Sequence, residues 1–166
     1  SNGQYRENLQ IVTPGITLKA AGKNVFVDGA YAGSCLEVTA DDVSLMGIVF
    51  ANGGPPAGSG GKEAGRLVVT GANAFVTKCE FRANVGFGLK LVGTGEVSFN
   101  LIVASLGPGL VVDSGDPAGP LTTVKYNEIV RNHSGVEALK GPFLFDKNEI
   151  SNNTGDGLSI SILEAD

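Results

Sequence analysis

The feature that most constrains this chain is a repeat. A leucine-type residue followed two positions later by a second apolar residue recurs as Leu9/Ile11, Leu36/Val38, Leu67/Val69, Leu89/Leu91, Leu110/Val112, Val136/Ala138 and Leu158/Ile160. The leading residues are 27, 31, 22, 21, 26 and 22 positions apart. A period near 22 with insertions belongs to a solenoid, in which each unit buries its apolar face only by stacking on its neighbours.

A second apolar column follows each leading residue, at Leu18, Leu45, Val76, Val97, Val124 and Phe145. Its surroundings alternate with period two, as in Ile16-Thr17-Leu18 and Phe143-Leu144-Phe145, so the segments are strands. A third column is Phe50, Phe81, Ile102, Ile129 and Ile150. Asn100, Asn127 and Asn148 lie two residues before it, with Cys79 in the same place one coil earlier. Stacked amides of this kind can satisfy one another and the buried backbone of a bend. A second turn repeats as Asn84…Gly88, Ser105…Gly109, Asn132…Gly135 and Asn153…Gly157. Glycine takes backbone shapes closed to other residues, and asparagine tolerates them. The 25 glycines among 166 residues fit a chain of many tight turns.

The pattern predicts an all-β, right-handed, single-stranded parallel β-helix of about seven coils with three short strands per coil. A β-sandwich would not repeat one strand–turn–strand order with matching polar positions. One domain spans 1–166, with insertion loops at about 53–65 and 113–120, and the expectation is a fragment of a longer chain. Ser1-Asn2-Gly3 reads as a trimmed end, and Leu158–Leu163 has strand character without a polar cap. End-to-end self-association is therefore expected if nothing follows.

The opening Gly3-Gln4-Tyr5-Arg6-Glu7-Asn8-Leu9-Gln10-Ile11, followed by Pro14-Gly15-Ile16-Thr17-Leu18, resembles the first coils of the right-handed β-helix repeat superfamily. Asn127-Glu128-Ile129…Asn132 and Asn148-Glu149-Ile150…Asn153 are similar to its turn motif. That superfamily includes pectate lyases, polygalacturonases, pectin methylesterases, alginate epimerases and surface or periplasmic proteins. The resemblance implies a ligand cleft along the leading strands and an extracellular or cell-surface setting. Two departures stand out: no amphipathic helix precedes the first coil, and the coils are fewer than those enzymes carry.

The outward column of the leading strands reads Gln10, Glu37, Val68, Lys90, Val111, Glu137 and Ser159, flanked by the two insertions. Loops raised over a regular scaffold are where binding residues concentrate. Candidate ligand-binding residues are thus Glu37, Lys90, Asp113, Asp116 and Glu137. As a pair for glycoside chemistry Glu37 and Glu137 fail, because four coils put them roughly 19 Å apart. Lys90 suits an acidic sugar, or equally serves solubility. Asp113 and Asp116 offer oxygens of the kind calcium takes, but two carboxylates are too few for its six to eight ligands. No catalytic set, metal or cofactor is expected. His133 beside Ser134 lacks an orienting third group, and Cys35 and Cys79 read as packing residues. Lys78, Glu80, Lys125, Glu128, Lys147 and Glu149 read as a solvated ladder of alternating charge.

A net charge of −5 with no Lys/Arg cluster argues against nucleic acid. The apolar stretches are interrupted too often for a membrane span. The expected function is a non-catalytic binding module for a polysaccharide or another extended surface ligand. The alternatives are a fragment of a polysaccharide lyase, hydrolase or epimerase, and a structural or protein-interaction scaffold with a protein partner. Phe87 is the turn aromatic expected beside the leading face, with Tyr31 in an earlier coil.

Overall fold

The computed structural model describes residues 3–54 and 67–161. Within them the chain is all strand and turn, wound as a right-handed parallel β-helix of about seven coils. The leading sheet holds Leu9–Ile11, Leu36–Val38, Leu67–Val69, Leu89–Val92, Pro108–Asp113, Ser134–Ala138 and Leu158–Ile160. The second sheet holds Thr17–Lys19, Ser44–Met46, Ala74–Thr77, Gly95–Ser98, Thr122–Lys125 and Phe143–Asp146. The third holds Gly3–Arg6, Val25–Asp28, Val49–Ala51, Glu80–Arg82, Leu101–Val103, Glu128–Val130 and Glu149–Ser151. Each strand pairs in parallel with its counterparts one coil away.

The three apolar columns stack in register as the repeat requires: Leu89 with Leu110, Val97 with Val124, Phe81 with Phe50 and Ile102. Leu36, Leu89, Leu110 and Val136 are completely buried, but Leu158 is 44% exposed, so the leading column opens at its last described strand. Inside the rod, Phe50 and Phe81 stack 5.6 Å apart with planes 7° from parallel. The third sheet also begins earlier than the Phe50 column suggests. Val27 pairs with Phe50, and Tyr5 with Val27, so two further strands carry the same column toward the first residues.

The bends explain the polar repeat. From second to third sheet, the chain turns through one residue in the left-handed region followed by the ladder residue. Asn100 Nδ2 donates to Asn127 Oδ1 at 2.9 Å, and Asn127 Nδ2 donates to Asn148 Oδ1 at 2.9 Å. The same oxygens accept the backbone amides of Asn100 and Asn127, and Asn100 Oδ1 accepts that of Cys79. Lys78, Phe99, Tyr126 and Lys147 hold the left-handed position, with φ between 53° and 57°. That conformation costs an L-residue about 1–2 kcal/mol, and the buried amide network offsets it.

The bend from third to leading sheet follows the same plan, with Asn52, Ala83, Ala104, Arg131 and Asn152 left-handed. Asn132 Oδ1 accepts from Ser105 N, and Asn153 Oδ1 from Asn132 N. The glycines just ahead of the leading strands are dictated by the neighbouring core. An added Cβ at Gly88, Gly109 or Gly135 would lie 2.5, 2.7 or 2.5 Å from Cγ2 of Ile102, Ile129 or Ile150.

Candidate functional site

The leading sheet places Glu37, Val68, Lys90, Val111, Glu137 and Ser159 in one in-register outward column. Lys90 Nζ sits 5.7 Å from the Phe87 ring centroid, a cation over an aromatic face. Val111, next in the column, is only 2% exposed although its neighbours Leu110 and Val112 are the ones that enter the core cluster. Glu37 and Glu137 stand four strand steps apart, roughly 19 Å, and do not meet. The column therefore offers isolated charges separated by valines.

Asp113 and Asp116 bend inward on their own loop. Asp113 Oδ1 accepts the Gly115 amide at 3.0 Å, and Asp116 Oδ1 the Ala118 amide at 2.9 Å. Ser114 ties the loop to the next coil through the Lys140 carbonyl. These are two consecutive aspartate turns that hold the loop up beside the leading strands. Most of the other insertion, residues 55–66, lies outside the described residues. Among the described residues no group of three or more His, Cys, Asp or Glu side chains could hold a metal ion.

Burial pushes both thiols up to about 11. Cys35 Sγ donates to the Ala51 carbonyl and Cys79 Sγ to that of Thr77. Both are protonated packing residues. His133 faces Thr154 across one coil, Nδ1 to Oγ1 3.3 Å. At the first coils, Asp28 accepts from the Ala30 amide, Asn52 Nδ2 and Gln4 Nε2, while Tyr31 donates to Asn52. Burial raises the Asp28 carboxyl, but these bonds and the Arg6 charge outweigh it and hold it below the usual range. The cluster knits the early coils at the third bend, from third to leading sheet, the second bend being that from second to third sheet.

The expected charge ladder is partnered differently. Lys125 pairs with Glu96 at 2.7 Å and Arg82 with Glu80 at 3.1 Å. Lys147 donates to the Tyr126 hydroxyl at 3.0 Å, with Asp146 at 3.9 Å. The reason is position: Lys147 holds the left-handed place at the bend and Lys125 ends a second-sheet strand, while Glu128 and Glu149 begin strands of the third sheet.

That geometry exposes a surface the residue pattern did not single out. Phe99 and Tyr126, 53% and 40% exposed, stack 4.9 Å apart with planes 6° from parallel. Lys147 Nζ lies 5.1 Å from the Tyr126 centroid. An outward aromatic pair exists, but at the second bend and not beside the leading strands. Its signal in the sequence is an aromatic immediately before a ladder asparagine, Phe99-Asn100 and Tyr126-Asn127.

Fold and surface together define a parallel β-helix with regular outward columns. No helix among the described residues is long and apolar enough to cross a membrane. Comparison with family models, with curated proteins and with solved structures finds no match.

Proposed function

We propose that this chain is a non-catalytic binding module for a polysaccharide or another extended surface ligand. The observation that carries the reading is the solvent-facing stack of Phe99 and Tyr126 on a rigid bend. Two large rings held in the left-handed backbone region, where glycine or asparagine would fold more easily, do nothing for the core. Aromatic faces receive the C–H faces of sugar rings, and Lys and Glu side chains around them receive the hydroxyls. The rigid scaffold keeps both in place without an ordering cost on binding.

Catalysis finds little support in the same surfaces. Acid–base chemistry needs its groups within hydrogen-bond reach of one bond. Glu37 and Glu137 are roughly 19 Å apart, and Asp113 and Asp116 hold their own backbone amides. The leading face, with Lys90 over Phe87, is the second place a ligand could rest.

A glycan array with the full chain tests the reading. Retention of specific polysaccharides without release of shortened products is the expected result. Retention lost in Phe99→Asn/Tyr126→Asn assigns the bend, whereas loss in Lys90→Ala/Asp113→Ala assigns the leading face. Cleavage of a bound polymer, or retention of none, would overturn the reading.

A further inference from the structure

Two outward columns run side by side at the second bend. The first is Lys78, Phe99, Tyr126 and Lys147, fixed one per coil by the backbone bonds Lys78 N to Ser98 O, Phe99 N to Lys125 O and Tyr126 N to Asp146 O. The second is Glu80, Leu101, Glu128 and Glu149, paired directly across the third sheet. The array thus has an apolar middle, Phe99, Leu101 and Tyr126, with charged side chains at both ends. Successive coils repeat at ~4.8 Å, so it extends ~14 Å along the rod.

Ring geometry leaves room for a ligand. Carbon atoms in contact sit ~3.5–4 Å apart, so two near-parallel rings with centroids at 4.9 Å are slid past each other rather than face on. The offset leaves a strip of each stacked face open, with Lys147 over Tyr126 at 5.1 Å, and the strips follow one another along the axis like steps. A single flat ligand would use one step. A chain whose units repeat at about the coil rise would use all of them.

Charge selects the kind of chain. On the second bend and the strands beside it stand Lys78, Lys125 and Lys147 against Glu80, Glu96, Glu128, Asp146 and Glu149, while Arg82 reaches over the Phe26 ring. Arg82, Lys125 and Lys147 each have a carboxylate within 4.0 Å, and the whole chain carries −5. A polyanion would meet an acidic neighbourhood in which Lys125 and Lys147 already have carboxylates beside them. Carboxylates and amines interleaved around rings instead suit hydroxyl groups, which both donate and accept.

We infer that the Phe99/Tyr126 bend binds a neutral, extended glycan strand laid along the rod axis, one sugar unit per coil. This rests on the polysaccharide-binding reading and adds the ligand's charge, its direction and its register. The glycan's C–H faces cover the open ring strips, and its hydroxyl edges reach Lys147, Glu128 and Glu149.

Calorimetric titration of the full chain with neutral cello-oligosaccharides and with galacturonate oligomers, each over increasing length, tests it. Affinity for the neutral series should rise with every added unit up to about four, one per coil, and then level off. The acidic series should bind about tenfold more weakly or worse. Phe99→Asn/Tyr126→Asn should lose about tenfold or more for the neutral series, yet melt no lower than wild type, because asparagine accepts the left-handed backbone. Tyr126→Phe should keep binding. Tighter acidic binding, affinity independent of length, or an unaffected double variant would overturn the inference while leaving polysaccharide binding standing. Binding of neither series, together with an array that retains no polysaccharide, would sink both.

Discussion

The second and third bends are built on one plan and finished differently. At the second, Asn100, Asn127 and Asn148 bond amide to amide. The Asn127 side chain alone takes part in four bonds, to Asn100 N, Asn100 Nδ2, Val97 O and Asn148 Oδ1. At the third, Asn132 accepts from Ser105 N and donates to Ile102 O, and the series is broken by Ser105, whose buried Oγ has no partner. The residues just ahead share one backbone shape and differ in size. The second bend carries Lys78, Phe99, Tyr126 and Lys147 in the left-handed region, while the third carries Ala83 and Ala104 ahead of Asn84 and Ser105 but Arg131 ahead of Asn132. The two bends thus differ in the bonds made inside them more than in the backbone they impose.

Breaking the stronger ladder should have the largest effect. Asn127→Ala strips partners from several buried groups at once, each costing ~1–3 kcal/mol when left unsatisfied. A loss of about 3–4 kcal/mol in denaturant unfolding is expected, and a loss below about 1 kcal/mol would refute the ladder's role. Asn132→Ala removes two bonds and should cost less, about 2 kcal/mol. An Asn132 variant at least as destabilised as the Asn127 variant would erase the contrast between the bends.

Completing the weaker ladder is the converse experiment. An asparagine at 105 would donate to the Phe81 carbonyl and accept from Asn84 N, as Asn153 does with Ile129 O and Asn132 N. Ser105→Asn should stabilise by about 1 kcal/mol, a rise of ~2–4 °C in a thermal melt for a chain this long. A fall would mean that the coil is too tight there for the larger side chain.

The smallest effect concerns the outside of the second bend. Burial raises the Glu96 carboxyl, but the hydrogen bond and charge of Lys125 and the Ser98 hydroxyl outweigh it and leave it below its ordinary 4.5. A depressed carboxylate contributes stability above its unfolded value and loses it as pH falls through the folded one. Wild type should therefore exceed Lys125→Met by less than ~1 kcal/mol near neutrality, the pair being about a third exposed, and that margin should vanish on acidification below 4.5. A margin that persists in acid would mean that Lys125 acts through packing.

Most of the architecture is legible in the residues because a solenoid writes each structural position several times. The Leu89, Val97 and Phe81 columns, and the asparagines at 100, 127 and 148, could be aligned on one another before any coordinates. The Gly3–Arg6 and Val25–Asp28 strands were less visible, since no asparagine stands two residues before Tyr5 or Val27, and both resemble the later isoleucine column poorly. The aromatic pair was hidden for a different reason. Period-two alternation assigns inward and outward faces within strands, but it does not say where a left-handed residue between two strands points. Among the candidate residues, Glu37, Lys90 and Glu137 could be put in one column from spacing alone. That Asp113 and Asp116 turn back on their own loop required knowing the loop's path.

The amide ladder also has a polarity: each amide-to-amide bond donates toward the later coil, while the second N–H of each amide returns to a carbonyl of the earlier one. Asn100 and Asn127 are 27 residues apart, and Asn127 and Asn148 only 21, yet both steps close the same bond. The six-residue difference is taken up in the loop after Asp113, on another side of the rod. Extra sequence is thereby quarantined from the bend, and the fold acquires something like a reading frame. Residues can be added or lost in such a loop, and whole coils exchanged, without disturbing the bend, whereas an insertion within the strands or the bend itself would put the amides around it out of phase.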